Sequence, residues 1–516
     1  LATAPAVPPN TSTVDASGHP DVMLISVDTL RADTILEDGV PTPHLDALRA
    51  RSMQAPYGHA TTPSTLPSHV SMMLGVTPLQ HGTYSNLGVM PGASSGFPTL
   101  AERFQEAGYR TVGTAANGLL HAYTGFDRGF EVLVNVAPNP ARADSPKKVT
   151  ASGRRMVWYS AVLSDMKSLA LSKWLASRRL PVEGGNVVED DGIFAPDVRD
   201  LALRNLDQLY AEERPYFYFL HFMAPHTPYG ATKEFRGKLT ADVELPERYQ
   251  EFEQGTTQFA DLVNADLRKG HPDGPIGLAY LHDLYREEVM MVDSMLGEIF
   301  ARVEASGRDT VILFTSDHGE HFGENSSIMH GNTVYAPVMR VPFFLAGPGI
   351  EPGTFQRTPD LIDIPLTLLR AAGYPVRDFG DGVDLLDPNL TDSMSVGVHD
   401  DKMVLYGGSS DGAAADMKML VSWKSADGSA SSFEPFALFR EEASSDEATN
   451  LIGQLENLAD VKATFFAAAQ AYIEGAADRH LRSVNPEELA NLSELGYVFD
   501  EDGNVVEAGA GAGDGH

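Results

Sequence analysis

The chain contains 516 residues, a length that suits two to four domains of ordinary size or one large α/β domain with an appendage. Of these residues, 43% are hydrophobic and 21% are charged, a composition that excludes global disorder. It has no cysteine, which excludes disulfides, thiolate metal sites and cysteine nucleophiles. Its net charge of −33 argues against general binding to nucleic acid, and no apolar run approaches the roughly 18 residues that a membrane span needs.

Residues 1–20 predict a flexible leader, because they are rich in proline, alanine, threonine and serine without any period. The chain starts with leucine rather than methionine, which indicates a processed product whose export signal has been removed. We therefore expect an extracytoplasmic protein, periplasmic or secreted. The strong acidity fits a secreted or salt-adapted protein, but it fits an ordinary acidic bacterial enzyme equally well.

Four short apolar runs predict buried β-strands, and each run ends at polar residues. These runs cover residues 22–27, 216–220, 311–314 and 341–345. Helical patterns cover residues 42–52, 100–108, 198–210, 281–306 and 362–372. The alternation is typical of parallel strands covered by helices on both faces. Because ligands of such sheets bind outside the carboxyl ends of the strands, we expect the polar residues that follow the strands to converge.

Residues 60–75 combine a Ser/Thr-rich loop with a short helical pattern that ends at Leu74-Gly75. Thr65 falls at the helix start, where free backbone N–H groups and the helix dipole favour an anion. A hydroxyl group at that point is placed to attack a bound phosphoryl or sulfuryl group. For this stretch alone, the simpler alternative is that Thr65 only caps the helix.

Residues 141–180 depart from the acidic background, with nine Lys or Arg against two Asp. The segment also carries Trp158, Tyr159 and Trp174 in an amphipathic helical pattern. One interpretation is a lid or surface that meets an anionic substrate or a membrane. The other is a solvated helical insertion whose charges pair with an acidic neighbour. Any membrane contact is expected only through this segment.

The chain changes character after about residue 385. It becomes rich in Ser, Gly, Ala and Asp with short strands, followed by helical stretches near 454–476 and 485–495. We interpret residues 21–385 as the catalytic domain and 386–500 as a smaller C-terminal subdomain. Residues 501–516, which end in a Gly/Ala-rich run, predict a flexible tail.

These motifs resemble the signatures of the sulfatase family, which belongs to the alkaline phosphatase-like superfamily. Thr65-Leu66-Pro67-Ser68-His69 occupies the family's Cys-x-Pro-Ser-Arg pattern, and Gly75 matches the glycine that closes the following helix. The other matching segments are 27–33, 81–82, Asn86, 125–127, 224–229, 316–320, 330–331, 340–342, 438–451 and 495–497. The resemblance therefore extends over about residues 20–500.

The resemblance implies an α/β fold in which a large mixed, mostly parallel sheet is flanked by helices, with a smaller C-terminal α+β subdomain. It implies that Asp28, Asp317 and His318 bind one divalent metal ion together with the Thr65 oxygen. Hard carboxylate oxygens and an imidazole suit Ca²⁺, Mn²⁺, Mg²⁺ or Zn²⁺, and the identity of the ion stays open.

The same resemblance assigns further residues to the site. His226 and His330 are expected to bind the anion or to protonate the leaving group. His69 stands at the family's Arg position, and Ser68 and Asn117 are expected to contact the substrate. Asn117 substitutes for the family's Lys-x-His segment as a neutral donor. The simpler alternatives are a cap or turn for the aspartates and Asn117, and loop packing for His226.

Three departures from the family pattern bear on the chemistry. Thr65 cannot form the formylglycine aldehyde that sulfatases make from Cys or Ser. Thr29 replaces the second Asp of the family's paired carboxylates, which removes one negative ligand. The Asp-x-x-x-His pair of a second metal site occurs only as Asp15 and His19 in the leader, so we expect one ion.

We therefore predict a metal-dependent hydrolase of phosphate mono- or diesters or of sulfate esters, with Thr65 as nucleophile and an anionic ester as its ligand. Phosphoryl chemistry is favoured because water attack at phosphorus cleaves a phosphothreonine, whereas a sulfothreonine lacks the hemiacetal route by which formylglycine enzymes expel sulfate. The alternatives are a sulfatase without formylglycine, a phosphotransferase, and a degenerate fold that only binds anionic glycans. The natural substrate and the oligomeric state stay open.

Overall fold

The computed structural model describes residues 18–136 and 195–374 apart from 38, 253 and 254, most of 379–478, and the short strands at 498–499 and 505–506. The gaps within 379–478 are 392–393, 400, 409–416, 427–429, 441–449, 453 and 456. The basic segment 141–180, the predicted helix near 485–495, and nearly all of the predicted leader and tail lie outside the described residues.

The strands are numbered in chain order: β1 Asp21–Val27, β2 Met53–Gln54, β3 Gly58–His59, β4 Arg110–Ala115, β5 Val132–Asn135, β6 Tyr216–Phe222, β7 Thr310–Thr315, β8 His321–Phe322, β9 Ile328–Met329, β10 Arg340–Val341, β11 Phe343–Ala346, β12 Gly353–Thr354, β13 Ser395–His399, β14 Lys402–Tyr406, β15 Met417–Ala426, β16 Ala430–Arg440, β17 Val498–Phe499 and β18 Val505–Val506.

The α-helices are α1 Ala32–Leu36, α2 Pro43–Ala50, α3 Thr65–Leu74, α4 Pro78–His81, α5 Leu100–Glu106, α6 Ala195–Tyr210, α7 Glu247–Gln250, α8 Thr257–Arg268, α9 Gly274–Ala305, α10 Ala336–Met339, α11 Ile364–Ala371 and α12 Leu458–Asp478. None of these described helices combines the length and the apolarity that crossing a bilayer requires.

An eight-stranded sheet with the order β12-β2-β11-β7-β1-β6-β4-β5 organises the larger part of the fold. The strands from β7 to β5 run parallel to their neighbours. Strand β11 is antiparallel to both β7 and β2. The prediction of a large mixed, mostly parallel sheet is therefore confirmed.

The central strands are apolar throughout because both faces of the sheet are covered. In β1, Val22 and Leu24 pack into one core with α3, α5 and α11. Met23, Ile25 and Val27 alternate with them and pack into a second core with α2, α6 and α9. Two buried faces explain why these strands read as continuous apolar runs rather than as alternating ones.

Two predicted strands differ from the observed ones. The strand predicted at 216–220 continues to Phe222, so His221 is part of β6 and is buried. The strand predicted at 341–345 is divided at Pro342 into β10, which pairs with β3, and β11, which pairs with β7. Proline has no N–H to donate to a sheet ladder, which explains the interruption.

The C-terminal part forms a four-stranded antiparallel sheet with the order β13-β14-β15-β16. Helix α12 covers it, with Val461 and Phe465 packed against Val398, Met403 and Leu438. A C-terminal subdomain of strands and a helix is thus confirmed. The boundaries of the domains, 21–385 and 386–500, stay a prediction.

Candidate active site

Two neighbouring strands bring the predicted metal ligands together. Strands β1 and β7 are adjacent and parallel, with Ser26 opposite Thr315, so Asp28 and Asp317 follow them at the same edge of the sheet. The ligand atoms of Asp28, Asp317 and His318 all lie within 4.8 Å of one another. All three side chains are fully buried. The convergence expected from parallel strand ends is therefore present.

Backbone donors hold the Asp317 carboxylate on one side only. Its Oδ1 accepts from the N–H of Thr29 at 3.2 Å and from the N–H of His318 at 2.9 Å. Thr29 reaches this position with a left-handed backbone, φ +57°. The Ser316 hydroxyl also ties the two strand ends, accepting from Leu30 N–H at 3.0 Å. The other carboxylate oxygen, Oδ2, lies 3.5 Å from His318 Nε2.

Three buried ligand atoms have no hydrogen-bond partner among the described residues: Asp28 Oδ1, Asp317 Oδ2 and His318 Nε2. His318 Nδ1 lies 3.0 Å from the carbonyl oxygen of Gly319, which places the imidazole proton on Nδ1 and a lone pair on Nε2. Two carboxylate oxygens and an imidazole lone pair are all acceptors, so they cannot satisfy one another. This donor set fits a divalent cation.

A second buried histidine, His221, has the opposite tautomer. Its Nδ1 accepts from the backbone N–H of Ala116 at 3.4 Å, so the proton lies on Nε2, which is 3.4 Å from Asp28 Oδ2. Asn117 Nδ2 donates to the same oxygen at 3.1 Å. Burial would raise the pKa of Asp28, but the neighbouring His226 and His221 hold it below its usual value.

His221 was expected only as one of the polar residues that end the strands and converge, and it was assigned no role in the site. The signal was in the sequence, because His221 lies near the end of a strand that pairs with β1. Its position within an apolar run concealed that role. Asn117, by contrast, was predicted, and the structure places it against Asp28.

His69 connects the nucleophile helix to the carboxylates. Its Nδ1 lies 2.8 Å from the carbonyl oxygen of Thr65 and 3.6 Å from Asp317 Oδ2, and its Nε2 lies 3.0 Å from Ser26 Oγ. Burial lowers the pKa of His69 to about 4, so the ring is neutral at pH 7. Ser68 Oγ donates to the carbonyl oxygen of Asp317 at 2.7 Å. Both predicted residues therefore contact the Asp317 segment.

Thr65 is the first residue of α3 and is 1% exposed. The N-cap is Ser64, with an extended backbone, so the alternative that Thr65 itself caps the helix is wrong. Leu66 N–H donates to the side chain of Asn86 at 3.0 Å. Gly75 ends the helix in a left-handed conformation, φ +66°, as its position in the motif predicts.

His226 and His330 form the partly exposed side of the site. Their ring centroids are 4.8 Å apart, and the ring of His330 lies 4.5 Å from that of His318. His330 Nδ1 is 3.0 Å from Glu320 Oε1, and Tyr229 donates to the other oxygen of Glu320. Burial opposes protonation of His330, but the Glu320 carboxylate raises its pKa to about 9. Burial lowers the pKa of His226.

Glu320 was missed as a site residue, although it lies in the motif that carries Asp317 and His318. Its partner His330 is ten residues further along, and the two meet through the hairpin of β8 and β9. A carboxylate that orients a histidine can lie at many different distances from it along the chain, so a single sequence does not reveal the pair.

Comparison with known proteins identifies the family and supports the assignment of the fold. The sulfatase family model matches residues 20–374. The choline-sulfatase of Rhizobium meliloti (strain 1021) is 27% identical over 398 residues, which cover 72% of this chain and 71% of the relative.

Solved structures with the same fold include one in complex with its substrate D-glucosamine-2-N,6-O-disulfate, with a TM-score of 0.63 at 14% identity over 90% of this chain and 99% of the other. The phosphonate monoester hydrolase of Silicibacter pomeroyi has a TM-score of 0.60 at 18% identity over 94% of this chain and 98% of the other. The chain belongs to the sulfatase family and is an ester hydrolase.

Proposed function

We propose that this protein is a metal-dependent hydrolase of phosphate or sulfate esters, with Thr65 as its nucleophile. One observation carries the proposal: ligand atoms of Asp28, Asp317 and His318 lie within 4.8 Å of one another, and each of these buried side chains keeps one atom without a hydrogen-bond partner among the described residues. Ser68 and His69, in the helix that begins at Thr65, both contact Asp317. Buried acceptors without partners are costly, and a divalent cation removes that cost.

Asp28, Asp317 and His318 would hold the metal ion, with the Thr65 hydroxyl as a further ligand. When bound, the ion supplies positive charge that lowers the pKa of the Thr65 hydroxyl and neutralises the charge that develops on the ester. Asn117 orients Asp28 by donating to its second oxygen, and His221 Nε2 lies 3.4 Å from the same oxygen. His221 is not a ligand in this proposal, because its Nε2 carries the proton.

Thr65 forms the new bond. Its Oγ1, after losing its proton to solvent, attacks phosphorus, and the bond from phosphorus to the ester oxygen breaks. The N-terminus of α3 favours the anionic group there. Water then attacks the phosphothreonine, which releases phosphate and restores the hydroxyl. His69 and Ser68 position the start of the helix against Asp317.

His330 supplies the proton that the leaving alcohol takes. The Glu320 carboxylate holds His330 through Nδ1, so Nε2 is the nitrogen left for the substrate. His226 packs against its ring and binds the anion or shares the proton transfer. An acid at this position matters most for alcohols that leave poorly.

The chemistry of a threonine nucleophile favours phosphate esters as substrates, whereas similarity to sulfatases favours sulfate esters. A threonine cannot use the hemiacetal route by which formylglycine enzymes expel sulfate. Relatives of this chain include a choline-sulfatase and an arylsulfatase. We retain sulfate ester hydrolysis without formylglycine as the second candidate, and transfer to an acceptor alcohol as the third.

The ligand is an anionic ester, with no role in nucleic-acid binding. We propose an extracytoplasmic location and one Ca²⁺, Mn²⁺, Mg²⁺ or Zn²⁺ ion per chain. Membrane contact, if present, would use residues 141–180.

A matched panel of aryl esters tests the proposed function. The protein is stripped of metal, reloaded with each of the four ions, and assayed on an aryl phosphate monoester, a phosphate diester and a sulfate ester with the same leaving group. We expect one ion to restore turnover and phosphate esters to be preferred, with the metal-free protein as control. Transfer of the group to added glycerol would favour the phosphotransferase, and failure with every ester and ion would favour a binding protein.

A further inference from the structure

Arg31 is a buried cation that the proposed mechanism does not use. It follows Asp28 by three positions and is 5% exposed. Its Nε and Nη2 donate to the two carboxylate oxygens of Asp33, which leaves Nη1 for other partners. Nη1 donates to Glu324 Oε1 at 2.7 Å and to the carbonyl oxygen of Glu320 at 3.1 Å. Because buried ion pairs often add little net stability, the place of these contacts is more informative than their presence.

Both partners of Arg31 Nη1 belong to the segment that carries the proposed acid. Glu320 is the residue whose carboxylate pairs with His330. Glu324 lies in the turn between β8 and β9, and its second oxygen accepts from Phe322 N–H at 2.6 Å. One guanidinium nitrogen therefore ties the start of the hairpin to its turn.

The turn between β8 and β9 contains unfavourable backbone conformations. Asn325, Ser326 and Met329 have φ of +52°, +58° and +69°. Residues other than glycine keep such conformations where the surrounding contacts hold them in place. Met329 directly precedes His330, so relaxation of its backbone would turn the imidazole away from its carboxylate partner.

The main chain of Arg31 is fixed to the buried side of the site. Its N–H donates to the hydroxyl group of Tyr285 at 3.0 Å, and the same hydroxyl group donates to the carbonyl oxygen of Thr29 at 3.0 Å. The N–H of Thr29 in turn donates to Asp317 Oδ1. Arg31 thus has its backbone anchored next to the proposed metal ligands and its side chain on the hairpin.

We propose that Arg31 is a positioning residue for His330. It holds Glu320 and the β8–β9 turn at a fixed place relative to Asp28, so that His330 keeps its hydrogen bond to Glu320 beside the ester. The inference rests on the proposed function, since this placement affects catalysis only if an ester is cleaved there. The alternative is that Arg31 contributes to stability alone.

The dependence of turnover on the leaving alcohol distinguishes these roles. Arg31→Met keeps an unbranched side chain but removes the donors, so we expect turnover of alkyl esters to fall about tenfold and of activated aryl esters by less than about twofold. Arg31→Lys should lose less, because an ammonium group keeps the charge without the planar fork. Arg357→Met is the control, since Arg357 is also buried and paired, with Asp360 and Asp363. It should leave the ratio of alkyl to aryl turnover unchanged.

The histidine ring signals provide a readout that needs no turnover. In protein labelled with nitrogen-15 histidine, the Nδ1 proton of His330 should give a downfield signal at neutral pH, because it is hydrogen-bonded to Glu320. Loss of this signal in His330→Ala assigns it. We expect Arg357→Met to retain the signal and Arg31→Met to lose it.

Equal losses on alkyl and aryl esters in Arg31→Met, or an unchanged His330 signal in that variant, would overturn the inference. If Arg31→Met does not fold, Arg31→Lys takes its place, and wild-type behaviour in both measurements would overturn the inference. If the wild-type protein turns over no ester, the proposed function fails, and the His330 signal alone decides whether Arg31 positions that ring.

Discussion

The buried and the partly exposed sides of the candidate site satisfy their polar groups in different ways. On the buried side, Asp28, Asp317 and His318 have no exposure, and each keeps one ligand atom without a hydrogen-bond partner among the described residues. On the partly exposed side, His330 is paired with Glu320, and His226 contacts the carbonyl oxygen of Thr227. The first set keeps acceptors that the proposed cation would satisfy, whereas the second set is already paired within the protein.

Glu288 shows that an unpaired buried oxygen does not by itself indicate a metal. Its Oε1 accepts from Gly230 N–H, its Oε2 has no partner in the described part of the chain, and burial raises its pKa to about 8. A lone carboxyl group can be neutralised by a proton. A divalent ion stabilises two carboxylates next to an imidazole lone pair more effectively than a single proton does.

Removal of one ligand should have the largest effect. Asp317→Asn keeps the shape of the side chain but loses the charge of the ligand, so we expect metal content to fall from one ion towards none and turnover to fall by about three orders of magnitude or more. Elemental analysis after gel filtration and steady-state kinetics measure the two quantities.

Glu288→Gln is the matched control, because it makes the same carboxyl-to-amide replacement at a buried side chain outside the site. It should retain the metal. Full metal occupancy in Asp317→Asn would contradict the assignment of the buried side of the site.

Substitutions on the partly exposed side of the site should affect only the protonation of the leaving group. His330→Ala is expected to lower turnover of alkyl esters by about 100-fold and of activated aryl esters by less than about tenfold, because a good leaving group does not need a proton. Glu320→Gln should follow the same pattern with a smaller loss. Equal losses on both kinds of ester would instead indicate anion binding, and His226→Ala separates the two roles of that histidine by the same measurement.

Much of the buried side could be predicted because it depends on strand order. Asp28 and Asp317 follow buried runs, and parallel strands place such residues at one edge of the sheet. The helix at 65–74 could be predicted from its sequence motif and from the glycine that ends it.

The tautomers of His318 and His221 could not be predicted in the same way. They depend on Gly319 O and on Ala116 N–H, and only the fold places Ala116 against His221. The Glu320–His330 pair likewise requires a hairpin whose two strands have only two residues each.

Because the pKa of the Glu288 carboxyl group is raised in the folded protein, we predict that the unfolding free energy depends on pH. Its folded pKa of about 8 exceeds its ordinary value of 4.5, so the folded state binds the extra proton between these values. The stabilisation is complete below about pH 4.5 and is lost as pH rises through 8. Relative to wild type, Glu288→Gln should gain on the order of 2–5 kcal/mol in unfolding free energy from pH 5 to pH 9.

Glu287→Gln is the control, because the Glu287 carboxylate accepts from Gly237, Leu239 and Thr240. That variant should be less stable than wild type at neutral pH. Denaturant titrations at several pH values measure both. A pH-independent difference for Glu288→Gln would show that this carboxyl group titrates normally.

The smallest effect is expected for residues 141–180, which lie outside the described residues. If this basic segment meets the anionic substrate, Arg154→Glu/Arg155→Glu should raise KM by about tenfold at low salt and by less at high salt. The kinetics are measured at two ionic strengths. An unchanged KM at both would favour the alternative of a structural insertion.

The identity of the attacking oxygen is the central claim, and a trapped intermediate tests it most directly. The metal-loaded protein is quenched with acid during turnover of an aryl phosphate ester, digested, and analysed by peptide mass spectrometry. We predict one added phosphoryl group on Thr65, and we predict that Thr65→Ala removes this group and lowers turnover by about three orders of magnitude or more. A phosphoryl group on Ser64 or Ser68, or full activity in Thr65→Ala, would contradict the account.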